Sequence, residues 1–203
     1  MNFMADEDPL QCGAADDPVY IHKPSLMGAA WELRLRPDVL EWRAGRHQGH
    51  VAYARIARIR LSYRPVTMQP VRFVTEIWPM GGARLSIAST TWRSMIEQAR
   101  QDQAYGCFIR ELHRRVARGG AAVAFETGTP PILYWPGLAV FAGAGLALAA
   151  LAVRALQVGA FAGAAFVGAF FVVLIWQSGN YFRRNRPGRY RPDDLPADLV
   201  PSA

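Results

Sequence analysis

The sequence predicts an α+β fold: a small antiparallel β-sheet or barrel, capped by one C-terminal amphipathic helix and followed by a two-helix transmembrane hairpin. Three observations carry that reading. Apolar and polar residues alternate from Ala30 to Ile87, the period turns helical from Thr90 to Arg118, and an apolar block runs from Ile132 to Trp176 with Arg154 as its one charge. Each half of that block approaches the roughly 20 residues that cross about 30 Å of hydrocarbon as a helix, so the whole reads as two crossings. The segments in order are a disordered acidic stretch 1–27, a β-rich domain 28–118 with its helix at about 91–118, a linker 119–131, transmembrane helices 132–153 and 158–176, and an Arg- and Pro-rich tail 181–203.

The β-rich part is read from period two, the mark of a half-buried antiparallel sheet. Trp31, Leu33 and Leu35 share one face against Glu32, Arg34 and Arg36. After the Pro37-Asp38 turn, Leu40 and Trp42 oppose Glu41 and Arg43. Gly45 to Gly49 reads as the next turn, after which Val51 and Tyr53 resume the apolar face. Ile59, Leu61 and Tyr63 oppose Arg58, Arg60, Ser62 and Arg64. Val71, Phe73, Thr75 and Ile77 oppose Arg72, Val74, Glu76 and Trp78. Pro79 to Gly82 turns the chain, and Leu85 with Ile87 closes a series of about six strands.

Thr90 and Thr91 are capping residue types. Trp92, Met95, Ile96 and Ala99 then fall at helical spacing, and Tyr105, Phe108, Ile109, Leu112 and Val116 continue the stripe. Glu111 and Arg115 stand as i, i+4 partners, and Gly119-Gly120 supplies the stop. In the apolar block, Tyr134 and Trp135 open the first span while Trp176 and Tyr181 close the second, as aromatic side chains do at membrane interfaces. The turn is expected at Arg154 to Gln157. Gly143, Ala147, Gly159 and Gly163 are small residues at four-residue spacing. They read either as faces for close helix packing, including a homodimer, or as the small residues common in any membrane helix.

The formal charge of +7 is unevenly spread: −5 over residues 1–20, +10 over 21–118 and +2 beyond. Arg110, Arg114, Arg115 and Arg118 precede the hairpin, and Arg183, Arg184, Arg186, Arg189 and Arg191 follow it. Arginine accumulates on the cytoplasmic side, which predicts a multi-pass protein of the bacterial inner (cytoplasmic) membrane with both termini cytoplasmic. The front is acidic and holds no apolar run, so no signal peptide is read. Leu10-Gln11-Cys12-Gly13 is a lipoprotein-like tetrapeptide with no hydrophobic segment before it. Cys12 and Cys107 lie in different settings and imply neither a disulfide framework nor a metal spacing, which suits a reducing compartment.

No catalytic constellation emerges, and the chain is read as a non-enzyme. His47 and His50 flank Gly49, but with His22 and His113 distant they lack a third ligand, so no metal site or cofactor is expected. Asp38 and Glu41 sit among arginines as surface ion-pair partners. Ser86, Ser89 and Thr90 have no neighbouring base. The surface that stands out is the polar face of the sheet, where Arg34, Arg36, Arg43, Arg58, Arg60 and Arg64 are expected to point away from the core. It is either a solvated face or one that meets anionic lipid headgroups or an acidic protein partner, each arginine adding about 1 kcal/mol near a charged bilayer. Nucleic acid is not expected, since no basic stripe interleaved with aromatics forms a recognised motif.

The order of strands and helix resembles a pleckstrin-homology-like (PH-like) domain. Leu40-Glu41-Trp42-Arg43 before a glycine turn, Val51-Ala52-Tyr53 after it, and Ile56-Ala57-Arg58-Ile59-Arg60-Leu61 are similar to bacterial membrane proteins that join such a domain to membrane helices. The resemblance covers Ala30 to Arg118. It implies a membrane-tethered binding or scaffolding module, or, through the hairpin, an accessory subunit of a larger membrane complex. Six strands stand where the family has seven. Its basic headgroup pattern is represented only by Arg34-x-Arg36 with Arg43 and Arg46 nearby, so headgroup recognition is not carried over.

Overall fold

The computed structural model describes residues 17–66, 69–93, 98–120 and 122–201. It comprises two compact units: residues 1–127 with 188–203, and residues 128–187. Residues 1–16, which hold most of the acidic stretch and Cys12, lie outside the described residues, as do Met95 and Ile96 of the expected helix.

In the first unit, four strands pair antiparallel in sequence order: β1 (Val19–His22), β2 (Trp31–Leu35), β3 (Val39–Ala44) and β4 (His47–Ala52). The alternation is realised as expected, with Leu33 opposite Trp42 and Leu35 opposite Leu40, and Leu33, Leu35 and Leu40 fully buried. Two local readings change. Strand β1 lies inside the stretch expected to be disordered, with Tyr20 opposite Leu33 and both Tyr20 and His22 buried. A four-residue strand is too short to show a period, and its partner recruits it. The turn also closes at Gly45-Arg46, with Gly45 at φ +61°, so His47 to Gly49 belong to β4. Gly49 faces Trp42, and a Cβ there would stand 2.8 Å from the indole. The missing side chain lets that ring lie across β4 and stack on Trp31 at 5.6 Å.

A second sheet is built on the long hairpin of β5 (Ile56–Val66) and β6 (Gln69–Pro79), to which β7 (Leu85–Ala88) adds beyond a turn with Gly81 at φ +78°. A two-stranded ribbon follows, of β8 (Thr90–Trp92) with β9 (Gln98–Arg100). The helix α1 therefore runs Asp102–Arg118, starting later than the expected position near 91. Thr90-Thr91-Trp92 are β-branched and aromatic residues that favour an extended partner, and the Trp92 amide donates to the Lys23 carbonyl. The far end agrees with expectation: Arg115 Nε donates to Glu111 Oε1 at 2.8 Å, and Gly119 caps the helix with Gly120 at φ +65°. Tyr105, Phe108, Ile109, Leu112 and Val116 pack on Tyr53, Ile56, Ile59, Leu61, Ile77 and Ile87 to form the core.

The expected linker and tail both return to this unit. Residues 119–131 contain β10 (Ala124–Thr127), which pairs parallel with β5. The tail supplies β11 (Gly188–Arg189), antiparallel to β10, giving the sheet order β11-β10-β5-β6-β7. Tyr190, Leu195, Leu199 and Val200 then pack on the core, and Arg110 donates to the Pro201 carbonyl. The described strands form three separate sheets and no closed barrel. Of the two cysteines, Cys107 lies on α1 and Cys12 falls outside the described residues.

The second unit is a helical hairpin, α2 (Pro131–Gln157) and α3 (Phe161–Arg184), with mean hydropathies of 2.0 and 1.8 over their most apolar windows. Both are long and apolar enough to cross a membrane. The chain reverses at residues 158–160, where Gly159 takes φ +73°. The turn thus falls a few residues after the expected one, and Arg154 sits in the last turn of α2, where its charge suits the negative end of the helix dipole. The helices pack through Phe141 on Phe182 (5.2 Å), Tyr134 on Phe182 (5.8 Å) and the Phe171 ring against Gly145.

Candidate functional site

The six arginines singled out by the alternation fall on two different sheets. Arg34, Arg36 and Arg43 belong to the first. Arg34 pairs with Glu32 at 3.2 Å, and Arg36 pairs with Glu41 at 3.1 Å and also with Asp17. Glu32, Arg34, Arg36 and Glu41, with Trp42, Arg43, Gln48, Gly49 and His50, line a shallow cavity of about 480 Å³ that mixes acidic and basic side chains. Its two glutamates are already engaged by Arg34 and Arg36.

Arg58, Arg60 and Arg64 lie on β5 in the second sheet, where period two places them opposite the buried Ile59, Leu61 and Tyr63. The register adds Trp78 opposite Arg58, Glu76 opposite Arg60 and Arg72 opposite Arg64. From β10 comes Glu126, in register with Arg60, and Arg84 joins just before β7. Each carboxylate serves two guanidiniums. Glu126 takes Arg60 and, at 3.5 Å, Arg58; Glu76 takes Arg64 at 3.1 Å and Arg84 at 2.9 Å. The Trp78 ring lies 5.6, 5.1 and 6.0 Å from the guanidinium carbons of Arg58, Arg60 and Arg84, distances at which a cation is drawn to the indole face. Arg60 departs from the expectation of an outward side chain: it is 8% exposed and closed in by its partner. Only the placement of β10 alongside β5 brings Glu126 to it.

The fifth arginine is different. Among the described residues Arg72 makes no ion pair, its Nε is buried without a hydrogen-bond partner, and its cross-strand neighbour is another arginine. Burial, reinforced by the Arg64 charge, lowers its pKa from the ordinary arginine range. The sequence shows Arg72 on this face through its alternation with Phe73. That it meets Arg64 depends on the register of the hairpin.

The histidines do not converge. His47 and His50 lie on β4, while His22 and His113 are fully buried, and burial pushes each of the latter down to about 4. Among the described residues no group of three or more His, Cys, Asp or Glu is placed to hold a metal ion. Of the small residues singled out in the hairpin, Gly143, Gly159 and Gly163 stand apart from the α2–α3 contact. Gly159 is in the turn, and an added Cβ on Gly143 or Gly163 would meet nothing within 4 Å. No family model, curated protein or solved structure matches the chain.

Proposed function

We propose that this chain is a two-span protein of the bacterial inner membrane, with both termini cytoplasmic, whose β-rich unit is a membrane-tethered binding or scaffolding module of PH-like kind. The observation that carries the reading is the hairpin: helices of 27 and 24 residues whose most apolar windows are 0% and 6% buried by the rest of the protein. Such surface is stable only in contact with lipid or with other membrane helices. The cytoplasmic placement rests on the nine arginines flanking the hairpin against Arg154 alone near its turn. The binding role rests on the second sheet's polar face, where five arginines meet two glutamates; the surplus suits an anionic lipid surface or an acidic protein. Neither catalysis nor a cofactor is part of this reading.

A second reading, an accessory subunit of a larger membrane complex or a homodimer, is favoured by Gly143 and Gly163, whose Cβ directions are open to another helix. Affinity purification from gently solubilised membranes, with the full chain beside a version lacking 132–176, separates the two. A partner retained by both makes the β-rich unit the working module. A partner lost with the hairpin assigns the association to the helices, and recovery of no partner with either version counts against both.

A further inference from the structure

Arg64 and Arg72 are directly opposite on β5 and β6. Cα atoms in such pairs stand about 4.5–5.5 Å apart, and like charges there oppose each other. A neutralising carboxylate would resolve the conflict, but among the described residues the two on this face are committed. Glu126 is shared by Arg58 and Arg60, and Glu76 by Arg64 and Arg84. Arg72 is left half-buried, and among the described residues its buried Nε has no hydrogen-bond acceptor. An unpaired charge out of water is costly, and a buried unsatisfied donor calls for a missing partner.

We propose that Arg72, with Arg64 beside it on the adjacent strand, holds a phosphate group. The chemistry selects the ligand. A halide is a single acceptor atom and a carboxylate has two oxygens; each anion carries one negative charge, so either leaves the charge of two guanidiniums half-compensated. A phosphate group presents three or more acceptor oxygens and up to two negative charges, enough for two forks at once. Approach is open from the Arg64 side, whose side chain is 51% exposed and whose guanidinium donates to Glu76 through Nη2. The inference deepens the binding-module reading and rests on it: the surplus positive charge of the face becomes a defined site at its β5–β6 end. The phosphate is either that of a small phosphorylated molecule or the monoester headgroup of a lipid.

The test uses the full chain in phosphatidylcholine nanodiscs titrated with inorganic phosphate, and in discs containing phosphatidic acid observed by phosphorus NMR. Saturable phosphate binding, weakened about tenfold or more in Arg72→Gln and unchanged in Arg93→Gln, an exposed arginine, supports the site with a free phosphate ligand. A protein-dependent shift of the phosphatidic acid resonance that Arg72→Gln abolishes, without binding of free phosphate, supports it with the lipid source. Arg72→Lys keeps the charge but loses the fork, and binding between wild type and Arg72→Gln is expected. If Arg72→Gln does not fold, Arg64→Gln is read in its place. Absence of both signals, or signals indifferent to Arg64 and Arg72, overturns the proposal. In that case a partner still recovered by the β-rich unit would leave the binding-module reading standing.

Discussion

His113 on α1 has both ring nitrogens engaged. Nδ1 stands 2.7 Å from the Ile109 carbonyl, which can only accept, so Nδ1 carries the proton and Nε2 accepts from the Tyr190 hydroxyl at 2.7 Å. His22 is equally buried and stacked on Tyr20 at 5.5 Å, and among the described residues its nitrogens make no well-formed hydrogen bond, with the Ser86 backbone as the polar neighbour. Burial holds both near 4 in the folded chain, against about 6.5 unfolded. Between those values the unfolded chain binds more protons, so stability is intact above about pH 6.5 and falls as pH drops toward 4, by about 3 kcal/mol per histidine. Thermal unfolding of the β-rich unit, followed by near-ultraviolet circular dichroism of the full chain, should therefore show a transition temperature that declines below pH 6.5. His22→Leu should flatten that decline while leaving stability at pH 7.5 nearly unchanged. Gly49 supports a second expectation at this scale. Gly49→Ala forces Trp42 off its stack and should destabilise by about 1–3 kcal/mol, read from the same melts.

At the scale of elements, the strands that show a clear period are those that bury one face: β2, β3, β5, β6 and β7 read correctly because Leu33, Leu40, Ile59, Leu61, Ile77 and Ile87 sit on their inner faces. β1, β10 and β11 are too short for that signal and exist because sheet edges recruit them. β10 is the most consequential, since it carries Glu126 to Arg60. Glu126→Gln leaves Arg60 enclosed without its counter-ion and should cost about 3 kcal/mol, whereas Arg43→Gln on the exposed rim should change stability by no more than about 0.5 kcal/mol. Urea midpoints of the two variants measure the contrast. The tail behaves as a core element as well. Leu199, 3% exposed, packs on the cluster around α1, and Leu199→Ala should lower stability by about 2–4 kcal/mol. A tail that made no core contact would leave the melting curve unchanged.

At the scale of the whole molecule, the apolar hairpin is an insertion. The chain leaves the β-rich unit at Thr127 and re-enters it at Gly188, two residues that face each other across the β10–β11 pair. Membrane association that survives alkaline carbonate extraction is expected for the full chain and should be lost when 132–176 are deleted. Nine flanking arginines favour a cytoplasmic β-rich unit, and protease added to intact spheroplasts tests that placement. The cytoplasmic placement expects the β-rich unit to be protected until the membrane is permeabilised, and cleavage before that step would place the unit outside.

The sequence by itself determined the α+β class, the inner faces of β2, β3, β5, β6 and β7, the apolar stripe of α1 and the two apolar helices. Each of these follows from a periodicity or run length that neighbouring residues carry among themselves. The tertiary structure decided what depends on distant partners: the late start of α1, the return of the tail to the core, the division of the arginines between two sheets, and the enclosure of Arg60 by Glu126. Period two could put Arg64 and Arg72 on one face. Their direct opposition, with no carboxylate among the described residues left over for Arg72, is a matter of hairpin register and of pairings across more than sixty residues between Arg60 and Glu126, which no local pattern encodes.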